Sequence, residues 1–285
     1  MNKLTTEKRA QIVGCLVEGM SIRATVRVTG AAKNTVTKLL VELGQACSEY
    51  QDRILRDLPA TRVECDEIWS FVACKEKNIP ADYEGEQQIG SVWTWVALDA
   101  DTKLACTWLV GERNLPDAKA FIGDLASRLT HRVQLTTDGF RPYVEAVEEV
   151  FGEDIDYTML VKLYGMNPDE GKYSPVECLG AEKHIIKGAP DLEKASTSYV
   201  ERQNLTMRMG MRRFTRLTNA FSKKAENLAA AVSLHFMYYN FARKHTSLSK
   251  PYPQTPAMAA GKADHVWTLS EIVSLLDAPK KSGSN

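Results

Sequence analysis

The sequence predicts an α/β protein, a mixed β-sheet flanked by helices, with a small all-α segment in front of it. Three observations carry that expectation. Residues 1–55 show helical periodicity broken by a glycine turn. From Arg62 to about residue 111 the chain changes to runs rich in Val, Ile, Trp and Thr. Strand and helix patterns then alternate to about residue 164, and helix returns near Ser198. A chain of 285 residues can bury one large core and add a small domain to it.

Each element has a local reason. In residues 5–19, Ile12, Cys15 and Leu16 fall at helical spacing. A short helix over MSIRATVRVTG ends at Gly30. The helix after it buries a Val36, Leu39, Leu40, Leu43 stripe and leaves Lys33, Asn34, Thr35, Thr37 and Lys38 off that stripe. Helix, short helix, glycine turn, helix is the helix-turn-helix order, whose second helix enters a major groove by its N-terminal residues. That helix continues to about Leu55, and DLPATR reads as a linker. Residues 62–74, 90–99 and 103–111 read as strands, the last two joined by an Asp-Ala-Asp-Thr turn into a hairpin. Residues 116–130 open on proline and run at helical period. A short strand, RVQLTT, ends at Asp138-Gly139; a helix over 142–151 and a strand over 155–164 follow. Residues 165–196 read as irregular, and further helices are expected at 221–243 and 269–277.

Strand, strand, strand, helix, strand, helix, strand, helix is the order of a ribonuclease H-like fold. The expected domains are therefore a helix-turn-helix domain over 1–57, a ribonuclease H-like domain over 62–250 with an insertion near 165–196, and a tail over 251–285 with a short helix.

The net charge is zero, but it is unevenly placed. Residues 1–60 carry 9 basic and 6 acidic side chains, residues 61–198 carry 14 and 25, and residues 199–250 carry 10 and 2. An acidic middle is thus flanked by segments able to meet phosphates. No apolar run approaches the roughly 18 residues of a membrane span. The start, MNKLTTEKRAQIV, lacks a signal-peptide pattern, so a cytoplasmic, nucleoid-associated protein with no membrane partner is expected. Six cysteines form neither a C-x-x-C pair nor a zinc spacing, and read as reduced thiols.

The chemistry concentrates in three carboxylates. Asp66 lies in a strand (VECDEIWSFV), Asp138 at a strand end (VQLTTDG) and Glu201 in a helix (SYVERQNLTMR). Magnesium takes oxygen ligands and keeps several waters, so a few carboxylates and a substrate phosphate complete its shell. Two such ions can activate an attacking oxygen and stabilise a leaving one. Glu64 and Glu67 rival Asp66. Glu64 shares a strand face with it and Glu67 points the other way by alternation, and spacing alone does not choose among the three. Arg208 lies two turns past Glu201, and Arg212, Arg213 and Arg216 follow; few acids stand near them, which favours contact with a phosphate backbone.

DEIWSFV, TTDGFRPY, and SYVERQNLTMR followed by RLTNAFSKK resemble bacterial DDE transposases of the insertion sequence one family, over roughly residues 62–250. The resemblance implies that Asp66, Asp138 and Glu201 are the catalytic, metal-holding triad and that Arg208 is the basic residue following the glutamate. It implies cutting at the terminal inverted repeats of a mobile element and joining to target DNA. Two Mg2+ ions, with Mn2+ as substitute, double-stranded DNA at element ends and target, and a homo-oligomer on DNA are the expected cofactors and partners. DNA contacts are expected from Lys33, Asn34, Thr35, Thr37, Lys38, Arg208, Arg212 and Arg213. The chain departs from the family in three ways: it shows no N-terminal zinc-binding cysteine cluster of the kind the family can carry, Arg202-Gln203-Asn204 stands where Arg-His-Asn often follows the glutamate, and 62 residues separate Asp138 from Glu201. Two other activities share these motifs: a catalytically inactive DNA-binding repressor and a stand-alone nuclease of the same fold.

Overall fold

The computed structural model describes residues 4–83, 88–165, 178–215, 219–248 and 250–277. Three helices come first: α1 (Thr6–Val17), α2 (Ile22–Thr29) and α3 (Lys33–Ile54). The middle of the chain runs β1 (Arg62–Val72), β2 (Gly90–Asp99), β3 (Ala105–Gly111), α4 (Leu115–Ala126), β4 (Gln134–Asp138), α5 (Pro142–Phe151), β5 (Asp156–Tyr164) and β6 (Cys178–Lys187). Then come α6 (Ser198–Gly210), α7 (Ala225–Met237), α8 (Pro256–Ala259) and α9 (Leu269–Ser274). The fold is α/β, as expected. Among the described residues, six strands form one sheet in the order β3-β2-β1-β4-β5-β6. β4 runs parallel to both β1 and β5, and β6 runs antiparallel to β5. No helix among the described residues is long and apolar enough to cross a membrane.

β6 departs from the sequence expectation, which read 165–196 as irregular. Residues 179–185 of this strand are exposed, so no apolar alternation marks it. Its extended form comes from its backbone ladder with β5, from Tyr157/Lys187 to Tyr164/Cys178, and not from burial. The rest of the expected insertion, residues 166–177, lies outside the described residues, as does Arg216.

The chain divides into two compact units. One contains 57–67 and 95–203. Its core holds Trp95, Phe121 and Tyr143, with the Trp95 ring 5.7 Å from Phe121 and 5.4 Å from Tyr143. Asn114 caps α4, its side chain accepting from the Asp117 N–H (2.9 Å), with Pro116 in the first turn.

The other unit contains 1–56, 68–94 and 204–285. Thr5 and Ser21 cap α1 and α2. Gly30 ends α2 at φ 69°, a left-handed conformation that suits glycine. α3 packs on α7, so closely at Gly44 that a Cβ there would strike the Ala230 backbone. Gln51, buried in α3, donates to the Ser233 carbonyl (3.1 Å). Tyr50, Phe241 and Trp267 form a ring cluster with centroids 5.0–5.6 Å apart. α7 runs on through a π-helical turn at Tyr238–Ala242.

Candidate metal centre

The parallel ladder of β1 and β4 runs from Arg62/Gln134 to Cys65/Thr137. The next residues, Asp66 on β1 and Asp138 at the end of β4, therefore leave the two strands side by side. One carboxylate oxygen from each of Asp66, Glu67 and Asp138 falls within 4.8 Å of the others. Strand alternation places Glu67 on the face opposite Asp66, yet the structure gathers them. The ladder with β4 has ended at this point, and Asp66 Oδ1 turns along the strand to accept from the Glu67 N–H (2.9 Å). Asp138 Oδ1 accepts from the Phe140 N–H (3.0 Å), which fixes it in the turn after β4.

Sequence reasoning missed Arg113. Its Nε donates to Glu67 Oε2 (3.0 Å), its Nη2 to Asp138 Oδ2 (3.3 Å), and its guanidinium carbon lies 4.0 Å from the Phe140 ring centroid. Arg113 sits between the end of β3 and the cap of α4. There the Trp95 indole N–H donates to the Glu112 carbonyl (3.0 Å) and the Glu112 N–H donates to Asp117 Oδ2 (2.5 Å). No motif signals a residue 46 positions from its partner; only the fold brings Arg113 to Glu67.

Three carboxylates so close repel one another, by about 4 kcal/mol for a like-charge pair near 4 Å at an effective dielectric of about 20. Arg113 brings one positive charge to three negative ones. The ionisation of the group reflects burial first and this crowding of negative charge second. Burial pushes the Glu67 carboxyl up to about 7; the Asp138 charge adds to this, while the Tyr143 hydroxyl and Arg113 oppose it. Glu67 Oε1 and the Tyr143 hydroxyl are both buried; they are close enough to influence each other's ionisation yet outside hydrogen-bond geometry. Burial likewise raises Asp138, opposed by the Phe140 N–H and Arg113. An all-oxygen donor set with a buried oxygen lacking a hydrogen bond fits a hard divalent cation.

Glu201 stands apart from this tight group, close enough for its charge to raise the Asp138 carboxyl. It lies in the first turn of α6, half-buried, ion-paired to Lys162 of β5, and accepts from the Thr197 hydroxyl. Glu64, the other rival of Asp66, is buried and accepts on Oε2 from the N–H groups of Tyr199 (2.8 Å) and Val200 (3.0 Å). Burial raises its carboxyl to about 7, against those two N–H groups.

The expected DNA contacts are placed as follows. Lys33, Asn34 and Lys38 are exposed at the start of α3, and Thr35 and Thr37 are half-buried. Lys38 pairs with Glu42 at 3.6 Å, and the Thr37 hydroxyl donates to the Lys33 carbonyl (3.1 Å). Arg208 is half-buried in the last turn of α6, and Arg212 is exposed. Arg213 turns inward, its Nε donating to Ser222 Oγ (2.7 Å), and burial lowers its guanidinium to about 10.

No protein-family profile and no curated protein sequence matches the chain. Among solved structures it is similar to a Mos1 transposase paired-end complex with left transposon end, at 12% identity and a TM-score of 0.24, over 55% of this chain and 60% of that one. A Mos1 strand transfer complex matches at 14% identity and a TM-score of 0.23, over 54% and 59%. A piggyBac transposase synaptic complex with hairpin DNA matches at 10% identity and a TM-score of 0.38, over 97% and 72%. The chain thus spans about three fifths of the length of the two Mos1 chains.

Proposed function

We propose that this chain is a DDE-type transposase with a ribonuclease H-like catalytic domain, which cuts DNA at the ends of an insertion sequence and joins them to target DNA. The observation that carries this reading is the convergence of Asp66, Glu67 and Asp138 at the point where β1 and β4 part. The strand order β3-β2-β1-β4-β5, with β1, β4 and β5 parallel, supports the ribonuclease H-like assignment. The motif resemblance around Asp66, Asp138 and Glu201 supports the family.

In this reading Asp66 and Asp138 hold a divalent cation, with Glu67 beside them, and Glu201 completes the set from α6. Bound Mg2+ or Mn2+ would lower the proton affinity of an attacking oxygen and offset charge on a leaving one. The protein's own part is positional. The Phe140 N–H and Arg113 fix the direction of Asp138, Arg113 offsets part of the negative charge, and burial excludes water from Glu67. Water cuts one strand at an element end, and the released 3′-hydroxyl attacks target DNA. Both steps are displacements at phosphorus, so one site serves both. Lys33, Asn34, Thr35, Thr37 and Lys38 on α3 read the duplex, and Arg208 and Arg212 meet its backbone. Joining requires two ends, so the chain acts as a homo-oligomer on DNA.

Asp66→Asn tests the site because it keeps shape and removes charge. Folding and DNA binding should persist while Mg2+- or Mn2+-dependent nicking falls by several orders of magnitude. Near wild-type nicking by Asp66→Asn would remove the site. Joined products distinguish a transposase from a nuclease, and a wild-type chain that binds DNA without nicking it would be a repressor.

A further inference from the structure

The N-terminal N–H groups of α6 can be accounted for one by one. A helix leaves its first N–H groups without partners inside the helix, and the side chain at the N-cap ordinarily accepts from one of them. Here Thr197 holds that position, but its hydroxyl donates to Glu201 instead. The Ser198 N–H finds Ser196 Oγ (3.0 Å). The Tyr199 and Val200 N–H groups both go to Glu64 Oε2 on β1, at 2.8 and 3.0 Å. The Glu201 N–H makes the first bond inside the helix, to the Thr197 carbonyl (3.0 Å). Lys103 Nζ lies 3.2 Å from the Tyr199 ring centroid, covering the same turn from outside.

We propose that Glu64 is a positioning residue: it ties the strand carrying Asp66 to the first turn of α6 and so holds Glu201 in place. This rests on the proposed function of the site. Glu64 and Asp66 share a strand face, two residues or about 6.6 Å apart. Glu201 follows directly on the two residues whose N–H groups Glu64 holds. A buried side chain, 3% exposed, therefore sets the spacing between two carboxylates of different elements. It takes the two first-turn N–H groups that the neighbouring side chains leave, since Ser196 Oγ accepts from the Ser198 N–H and the Thr197 hydroxyl donates to Glu201. A carboxylate here also suits the positive end of the helix dipole. The device requires an acceptor with the reach of glutamate; a negative charge alone is insufficient.

Two variants separate reach from charge in the full chain. Glu64→Gln keeps the reach and an accepting oxygen without the charge. Glu64→Asp keeps the charge and draws the oxygen back by one methylene. Three readouts are used: hydrogen exchange of the Tyr199 and Val200 amides, Mn2+-dependent nicking of supercoiled plasmid, and the Mn2+ concentration at half-maximal nicking. Glu64→Gln should stay near wild type in all three. Glu64→Asp should exchange those amides about tenfold faster, as for one hydrogen bond lost. It should nick about 10–100-fold more slowly and need more Mn2+, with unaltered affinity for duplex DNA, as for a support of a metal ligand. Loss in Glu64→Gln, or wild-type behaviour in Glu64→Asp, overturns the proposal. Glu64→Gln alone still decides if Glu64→Asp does not fold, because any loss there makes the charge essential. A wild-type chain without metal-dependent nicking would sink the functional reading, while amide exchange would still decide whether Glu64 holds the helix.

Discussion

At the scale of single residues, the site depends on a shortage of positive charge. Arg113 binds both Glu67 and Asp138, and the Glu67 side chain is 1% exposed. Arg113→Gln should destabilise the protein by about 1–3 kcal/mol at pH 8, the cost of leaving a buried charge without its partner, discounted for the part-exposed arginine. The loss should shrink at pH 6, where Glu67 can take a proton. Urea denaturation at both pH values checks this, and an equal loss at both would count against it. Glu64 and Glu67 both have folded carboxyls raised from 4.5 to about 7. A raised carboxyl favours the folded state at low pH. Its contribution is full below 4.5 and is lost as pH rises through about 7. The midpoint of thermal unfolding without divalent ions should therefore fall over that window. Glu67→Gln should flatten the fall, and Mn2+ at pH 8 should reverse it. A flat wild-type profile would show that the carboxyls are not raised. The placement of Asp66 within a strand and of Asp138 at a strand end was legible in sequence, because β-rich runs and Asp-Gly turns mark themselves locally. Glu67 and Arg113 were not, since alternation sends one to the wrong face and the other comes from a distant loop.

At the scale of elements, most strands and helices were legible because burial on one face imprints a period on the chain. α5 spans the expected 142–151 for that reason, with Tyr143, Ala146 and Val147 buried. β6 was illegible because backbone pairing alone makes it a strand, leaving Leu179 and Ile185 exposed at 68% and 53%. α3 combines two demands in one helix. Its first turns carry exposed Lys33 and Asn34, while Gly44 and Gln51 further along press on α7. Gly44→Ala should cost about 1–3 kcal/mol through overpacking against the Ala230 backbone. Thermal denaturation measures it, and an unchanged or raised midpoint would mean that α7 yields. Lys33→Ala with Lys38→Ala should weaken duplex binding across all sequences and reduce the salt dependence of affinity by about two counterions. Binding titrations at several salt concentrations read that slope directly; an unchanged slope would take α3 out of the interface.

At the scale of the whole molecule, a net charge of zero conceals 10 basic against 2 acidic residues over 199–250 and the reverse imbalance before it. Overall charge therefore says little about binding, and placement says more. The same scale governs how the N-terminal helices can be studied. Residues 1–56 belong to one compact unit with 204–285, and Gln51 reaches across to the Ser233 carbonyl. Deleting the first 55 residues would bare the side of α7 that carries Ala230 and, at helical spacing from it, the buried Leu234 and Met237. The shortened chain should come out of cells in inclusion bodies, so its loss of DNA binding would say nothing about recognition. Any evolutionary exchange of the N-terminal helices between relatives faces the same obstacle: a grafted N-terminus must bring a small residue at position 44 and an amide at 51, or α7 must change with it.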